Sequence, residues 1–191
     1  MRKILVETSA RHIHLSEHDL KSLCGEDATL AVRGMLSQPG QFASTTKIKV
    51  EGIKRNFDGV TVLGPTRKAS QVEISQTDAF ALGVVAPIRE SGDIKGTPGI
   101  TLVGPAGKVT LKEGLIIAKR HIHMTPADAE EFNVKNGEIV AVRIKSEERS
   151  LVFEDVVIRV REDFALAMHI DTDEANAAGI KGSVLGELIK L

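Results

Sequence analysis

The chain has 191 residues, is 42% hydrophobic and 27% charged, and carries a formal net charge of −1, the balance of a globular protein with no general attraction to polyanions. Trp and Tyr are absent and no basic stripe is visible, so nucleic-acid binding is not expected. No run of about 18 apolar residues is present, so no membrane-spanning helix is expected, and the single Cys24 cannot form an internal disulfide, which points away from an oxidising compartment.

The first residues, Met1 to Glu7, run directly into a strand pattern at Ile4-Leu5-Val6. They lack the apolar stretch and cleavage site of a signal peptide, and a cytoplasmic location is expected. Arg11-His12-Ile13-His14-Leu15 follows, and Ser16 then stands as an N-cap before a short helix over 17–20. Val- and Ile-rich runs punctuated by Gly and Pro predict strands over 46–50, 60–63 and 99–103. Leu63-Gly64-Pro65-Thr66-Arg67 reads as a strand, a tight turn and an arginine. The glycine-rich stretch from Gly104 to Gly114 is the expected boundary between a domain over 1–113 and a domain over 114–191. Beyond it, Leu115-Ile116-Ile117-Ala118 predicts a strand, and Arg120-His121-Ile122-His123-Met124 follows. Thr125-Pro126 is a helix-start signal before 127–132. Asn136-Gly137 carries a hairpin-type turn signal, and strands are expected over 138–144 and 156–160.

The segment Arg11 to Leu15 returns 109 residues later as Arg120 to Met124, each copy behind an apolar strand and ahead of a capped helix. A looser rhyme links Asp78-Ala79-Phe80-Ala81-Leu82-Gly83 with Asp163-Phe164-Ala165-Leu166-Ala167. Many short strands with few helices predict a mainly β protein, made of two small β-barrel domains from an internal repeat and capped by short helices. Barrels built from repeats sometimes exchange strands, and the N-terminal strand is the candidate for such an exchange here.

On a strand, residues i and i+2 point to one face, so both rings of a His-x-His pair can reach one metal ion. Burying four imidazoles without metal would require four sets of hydrogen-bond partners. A catalytic zinc ion takes about three protein ligands. His169 is the candidate to complete the pair His121 and His123. For His12 and His14 the candidate is Glu73 in Gln71-Val72-Glu73-Ile74-Ser75, although the pattern alone also allows an outward-facing strand residue there. His18 reads as a solvated helix histidine and Cys24 as a small packed residue, not a nucleophile. Arg67 and Arg89, each after a Pro-containing turn, are weak phosphate signals. No Walker loop, no Gly-x-Gly-x-x-Gly fingerprint and no Gly-x-Ser-x-Gly elbow occurs, which argues against nucleotide-dependent and serine-nucleophile enzymes.

Taken together, the two His-x-His segments with Ser9-Ala10, Ser37-Gln38-Pro39-Gly40-Gln41-Phe42, Leu63 to Arg67, Gln71-Val72-Glu73 and Pro87 to Asp93 resemble the PduL-type phosphate acyltransferases over nearly the whole chain. The resemblance implies reversible transfer of a short acyl group, propanoyl or acetyl, between coenzyme A and inorganic phosphate. It also implies two divalent metals, with zinc the expected ion. It assigns His12, His14 and Glu73 to one metal, His121, His123 and His169 to the other, and Arg67 to phosphate binding and catalysis. By the same resemblance, Thr8, Ser9, Ala10, Lys54 and Asn176 fall where coenzyme A contacts are expected. Thr61 stands where the family often has a basic residue, a gap that Arg55 or Lys68 could fill. Acyl-CoA and phosphate are the expected partners, with a homodimer as the expected assembly and neither nucleic acid nor membrane involved. Microcompartment members carry an N-terminal targeting extension, and with only ten residues ahead of Arg11 none is expected here. Two other readings of the same residues stay open: a two-metal hydrolase, and a non-enzymatic, zinc-stabilised interaction domain.

Overall fold

The computed structural model describes residues 3–191, in which the apolar runs become fifteen short strands and four short helices. The first stretch holds β1 (Lys3–Thr8), β2 (His12–Ser16), α1 (Glu17–Cys24), β3 (Val32–Met35) and β4 (Phe42–Glu51). Then come β5 (Asn56–Arg67), β6 (Gln71–Ile74), α2 (Gln76–Leu82), β7 (Ile88–Arg89), β8 (Thr101–Val103), β9 (Lys108–Thr110) and β10 (Leu115–Ala118). The last stretch holds β11 (His121–Met124), α3 (Pro126–Phe132), β12 (Ile139–Ile144), β13 (Leu151–Val160), β14 (Ala167–Ile170), α4 (Thr172–Ala177) and β15 (Val184–Lys190). No helix among the described residues is long and apolar enough to cross a membrane.

Two compact units interleave along the chain: one takes the residues up to Ser9 with Ser37–Pro39 and Lys119–Leu191, the other Ala10–Leu36 and Gly40–Ala118. The first unit is a closed barrel of six strands in the order β1-β14-β11-β13-β12-β15. Its N-terminal strand β1 runs parallel to β14 and antiparallel to β15, so it closes the cylinder and leaves no unpaired edge. Ile4, Val6, Ile122, Met124, Val142, Ile144, Ile158 and Met168 fill its core, each fully buried.

The second unit is a curled sheet in the order β7-β10-β6-β2-β5-β4-β8-β9, with β3 added on β4. Ile13, Leu15, Val62, Val72, Leu102 and Leu115 form its apolar core, and α1 adds Leu20 and Leu23. Both His-x-His strands lie inside their sheets. β2 sits between β5 and β6, and β11 between β13 and β14, each with one parallel and one antiparallel neighbour. Both edges of each strand are thus paired, and both faces are buried as well, so β2 and β11 hide their histidines along with their isoleucines.

The repeat extends further than the sequence rhyme, but at a changed interval. The His-x-His strands lie 109 residues apart, whereas Glu73 and His169, which face His12 and His121 across the ladder, lie 96 apart. The looser rhyme of 78–83 with 163–167 is not structural: 78–82 belong to α2, while 163–166 form a turn ahead of β14. The true counterpart of α2 is α4, because each follows the strand that faces a His-x-His segment. Asn136-Gly137 is a turn as expected, with Gly137 at φ 78°, but it joins α3 to β12 and not two strands.

Candidate metal and phosphate site

In the curled-sheet unit the ladder pairs His12 with Glu73 on β6 and with Thr61 on β5. Paired residues share a face, so the period-two spacing of His12 and His14 and the register of β6 bring three ligating groups together. His12 Nε2 lies 3.5 Å from Glu73 Oε2, and His14 Nε2 lies 3.6 Å from Glu73 Oε1. Donors held about 2.1 Å from one tetrahedral ion stand roughly 3.4 Å apart, so these spacings suit a common metal. All three residues are buried. His12 Nδ1 donates to the Ala10 carbonyl at 2.9 Å, which turns the lone pair of Nε2 toward Glu73. His14 Nδ1 is buried and has no hydrogen-bond partner among the described residues.

The protonation states follow from burial and charge. Burial pushes the His14 pKa down to about 4, against the pull of its hydrogen bond to Glu73. Burial pushes Glu73 upward, but the charge and hydrogen bond of His12, and then those of His14, outweigh it and hold the carboxyl well below its usual range. His12 is raised: burial opposes its charge, but Glu73 and the Ala10 carbonyl together win. Without metal, His12 therefore holds a second ring proton more readily than a free imidazole does, and metal binding would compete with that proton.

Arg67 ends β5 beside this cluster, and its charge lowers the pKa of both His12 and His14. Two residues whose part the sequence reading missed tie it in. Ser91 Oγ accepts from Arg67 Nη1 at 2.9 Å and from Gln71 Nε2 at 3.0 Å, and donates to Glu73 Oε1 at 2.8 Å. Gln71 Nε2 also donates to Glu73 Oε1 at 2.6 Å, while Gln71 Oε1 accepts the Gly92 amide. The alternation along β6 was the signal for Gln71, since it shares the face of Glu73 and pairs with His14. Ser91 lies 18 residues from Glu73 in a loop, beyond the reach of any local pattern.

The barrel unit builds a second cluster on the same plan. His121, His123 and His169 each offer one ring nitrogen, and these atoms all lie within 4.8 Å of one another. His121 Nδ1 donates to the Lys119 carbonyl at 2.8 Å, the counterpart of the His12 bond to Ala10, and His123 Nδ1 is again buried with no partner among the described residues. Phe164 covers the His123 ring, 4.0 Å between centroids. Burial, reinforced by the charges of His121, His169, Arg159 and Arg161, drives the His123 pKa down to about 2, so its ring is neutral and available as a ligand.

A pocket of about 390 Å³ opens in this unit, lined among others by Glu7, Thr8, Asn176, Ile180 and Ser183. It brings Thr8 and Asn176 together, although they are far apart in sequence. Glu7 also lies 4.0 Å from His169 Nδ1, which links the pocket to the histidine cluster. Ser9 contributes its backbone amide to the Ile170 carbonyl. Ala10 belongs with His12 to the curled-sheet unit, where its carbonyl accepts from the His12 ring. Lys54 and Thr61 also belong to that unit: Lys54 Nζ lies 5.0 Å from the Phe80 ring centroid, and Thr61 Oγ1 accepts from Lys47 Nζ at 2.6 Å. His18 is exposed, Cys24 is half-buried, and Arg89 is an exposed partner of Asp93.

Residues 5–181 match the family described as phosphate propanoyltransferase. A phosphate propanoyltransferase of Thermotoga maritima is 55% identical over 175 residues, which are 92% of this chain and 83% of that protein. One of Listeria monocytogenes is 53% identical over 185 residues, 97% and 86% of the two chains, and one of Sebaldella termitidis is 50% identical over 189 residues, 98% and 89%. With identity above 50% over more than four fifths of each chain, and a family match over residues 5–181, this chain belongs to the phosphate propanoyltransferase family of acyltransferases.

Proposed function

We propose that the enzyme transfers a short acyl group, propanoyl or acetyl, reversibly between coenzyme A and inorganic phosphate. The single observation that carries this reading is the coupling of Arg67, through Ser91, to the buried cluster of His12, His14 and Glu73. A guanidinium binds phosphate by a planar fork of donors. Fixed there, phosphate is held for attack on the face of a thioester carbonyl, and the entropy of bringing two substrates together is met by binding. A phosphate oxygen attacks the carbonyl carbon, the new C–O bond forms, and the C–S bond breaks to release the CoA thiolate. The proton that hydrogen phosphate gives up is the one the thiolate takes up, so the net reaction needs no proton from the protein. No Ser or Cys nucleophile is required, in keeping with a half-buried Cys24 whose pKa burial raises.

Each histidine cluster is proposed to hold one divalent metal, zinc being the ion suited to imidazole and carboxylate donors. His12, His14 and Glu73 would hold one, and His121, His123 and His169 the other. A metal bound there supplies Lewis-acid polarisation of the carbonyl and a soft partner for the thiolate. Arg67 binds phosphate, and its tie through Ser91 sets its distance from Glu73. The pocket at Thr8 and Asn176 is the proposed seat of part of coenzyme A, with Ser9 and Ala10 beside Thr8 in the chain; Lys54 and Thr61 of the curled-sheet unit are proposed separately as coenzyme A contacts. A homodimer is the proposed assembly, since closed two-fold dimers are the commonest soluble oligomers. The proposed compartment is the cytoplasm, in keeping with a lone cysteine.

The test is thiol release from propanoyl-CoA by metal-replete protein, with and without phosphate, repeated with acetyl-CoA. Release that needs phosphate and stops with a chelator is the expected result. Release without phosphate would show a hydrolase instead, and tight zinc with no release in either condition would show a structural metal domain.

A further inference from the structure

Arg11 immediately precedes the first His-x-His pair and does not point into the cluster. Its Nε and Nη2 grip the two oxygens of Asp78, at 3.0 and 2.6 Å, and its guanidinium lies 4.3 Å from the Phe57 ring centroid. Asp78 is only 5% exposed, and it is the third residue of α2, where it completes a capping box with Ser75. Ser75 stands two residues after Glu73. The fork therefore staples the start of β2 to the helix that ends β6, the two strands that carry the ligating groups.

The barrel unit contains the same device from different residues. Arg120 precedes His121, and its Nη1 bonds Glu174 Oε1 at 2.8 Å while its Nε donates to the Glu154 carbonyl at 2.6 Å. The guanidinium lies 5.5 Å from the Phe153 ring centroid. Glu174 is the third residue of α4 and completes a capping box with Asp171, two residues after His169. Between the units, Phe57 and Phe153, Glu73 and His169, and Asp78 and Glu174 are each 96 positions apart. The ligating residue changes from Glu to His, the N-cap from Ser to Asp and the clamped carboxylate from Asp to Glu, yet an arginine bonded to the capping-box carboxylate and lying beside a phenylalanine ring remains, bidentate at Asp78 and through a single bond at Glu174. A surface ion pair would contribute little and need not recur; a fork on a buried carboxylate is geometrically specific.

We propose that Arg11 and Arg120 are positioning residues, each clamping the third ligand of its own unit, Glu73 or His169, against its His-x-His pair and so setting the metal affinity of that unit alone. This inference rests on the reading of both clusters as metal sites. Partners beyond the ligating residues typically set metal affinity by about 10- to 100-fold.

The experiment is competition of the full-length chain with a chromogenic zinc chelator, alongside melting of the metal-free protein. The His123→Ala background isolates the first cluster and the His14→Ala background the second. Arg11→Met should weaken zinc at the first cluster by about 10- to 100-fold and leave the second unchanged, with Arg120→Met the mirror image. Arg11→Lys, which keeps charge but not the fork, should recover only part of the loss. Should Arg11→Met fail to fold, Asp78→Asn keeps the shape of the cap and carries the same expectation. Wild-type affinity at both clusters would overturn the clamp, as would an equal loss at both that tracks a lower melting temperature. If the wild-type chain itself bound no zinc, the metal reading would fall, a result separable from failure of the clamp alone.

Discussion

Replacing Ser91 with Ala tests whether Arg67, the proposed phosphate-binding residue, and the carboxylate of the cluster work as one unit. The hydroxyl accepts from Arg67 Nη1 at 2.9 Å and donates to Glu73 Oε1 at 2.8 Å. The Glu73 oxygen keeps a second donor, Gln71 Nε2 at 2.6 Å, so the loss falls mainly on Arg67. A hydrogen bond to a charged group contributes about 1.5–3 kcal/mol, which converts to roughly a 10- to 150-fold fall in kcat/KM for phosphate. The assay is the initial rate of thiol release with phosphate and acyl-CoA varied in turn, together with the zinc content of the purified variant. The expected pattern is a selective one: phosphate kinetics fall, the KM for acyl-CoA holds, and zinc content is unchanged. A phosphate kcat/KM within about twofold of wild type would falsify the coupling. An equal change toward both substrates would mean that Ser91 serves the fold and not the arginine.

Three further outcomes follow from the same geometry. Arg67→Ala should raise the KM for phosphate and lower turnover by more than Ser91→Ala does, with Arg67→Lys intermediate because an ammonium lacks the fork; unchanged phosphate kinetics in Arg67→Ala would remove it from the site. In metal-free protein the folded His123 ring stays neutral to about pH 2, while the unfolded chain takes up a proton near 6.5. The unfolded state then binds more protons, so this residue costs stability as pH falls below 6.5, by about 2 kcal/mol at pH 5. The non-titrating His123→Gln should gain on wild type by that amount between pH 7.5 and pH 5 in denaturant titrations, and parallel pH curves would refute the assignment. At Gly99 a methyl group would run into the carbonyl oxygen of Leu111. Backbone cannot yield as a side chain can, so Gly99→Ala should lose about 1–3 kcal/mol, read as a lower denaturation midpoint. A wild-type midpoint would show that the two segments separate easily.

The parts of the site read from sequence were those carried by short-range rules. Period-two alternation puts His12 and His14 on one face, and Gln71 with Glu73 on another strand. Ser16, Thr125 and Pro126 announced the helices that follow the His-x-His strands, because capping is a matter of two or three residues. The pairing of Arg11 with Asp78 spans 67 positions and that of Arg120 with Glu174 spans 54, and no local pattern encodes either. The shift of the repeat from 109 to 96 residues also hid the match of α2 with α4. Their sequences, QTDAFAL and TDEANA, share a capping box but little else.

By itself the sequence determined the mainly β class, the internal repeat and the residue types able to ligate metal, because alternation, turn chemistry and a repeated pentapeptide are local properties of the chain. Only the tertiary structure decided that β1 closes the barrel against β14 and β15, that Glu73 faces His12 while His169 faces His121, and that Ser91 joins Arg67 to Glu73. Those are choices of strand order and register between segments far apart in the chain. They are settled by which arrangement buries the apolar faces and pairs the strand backbones at once, a condition on the whole fold that no single stretch of residues can express.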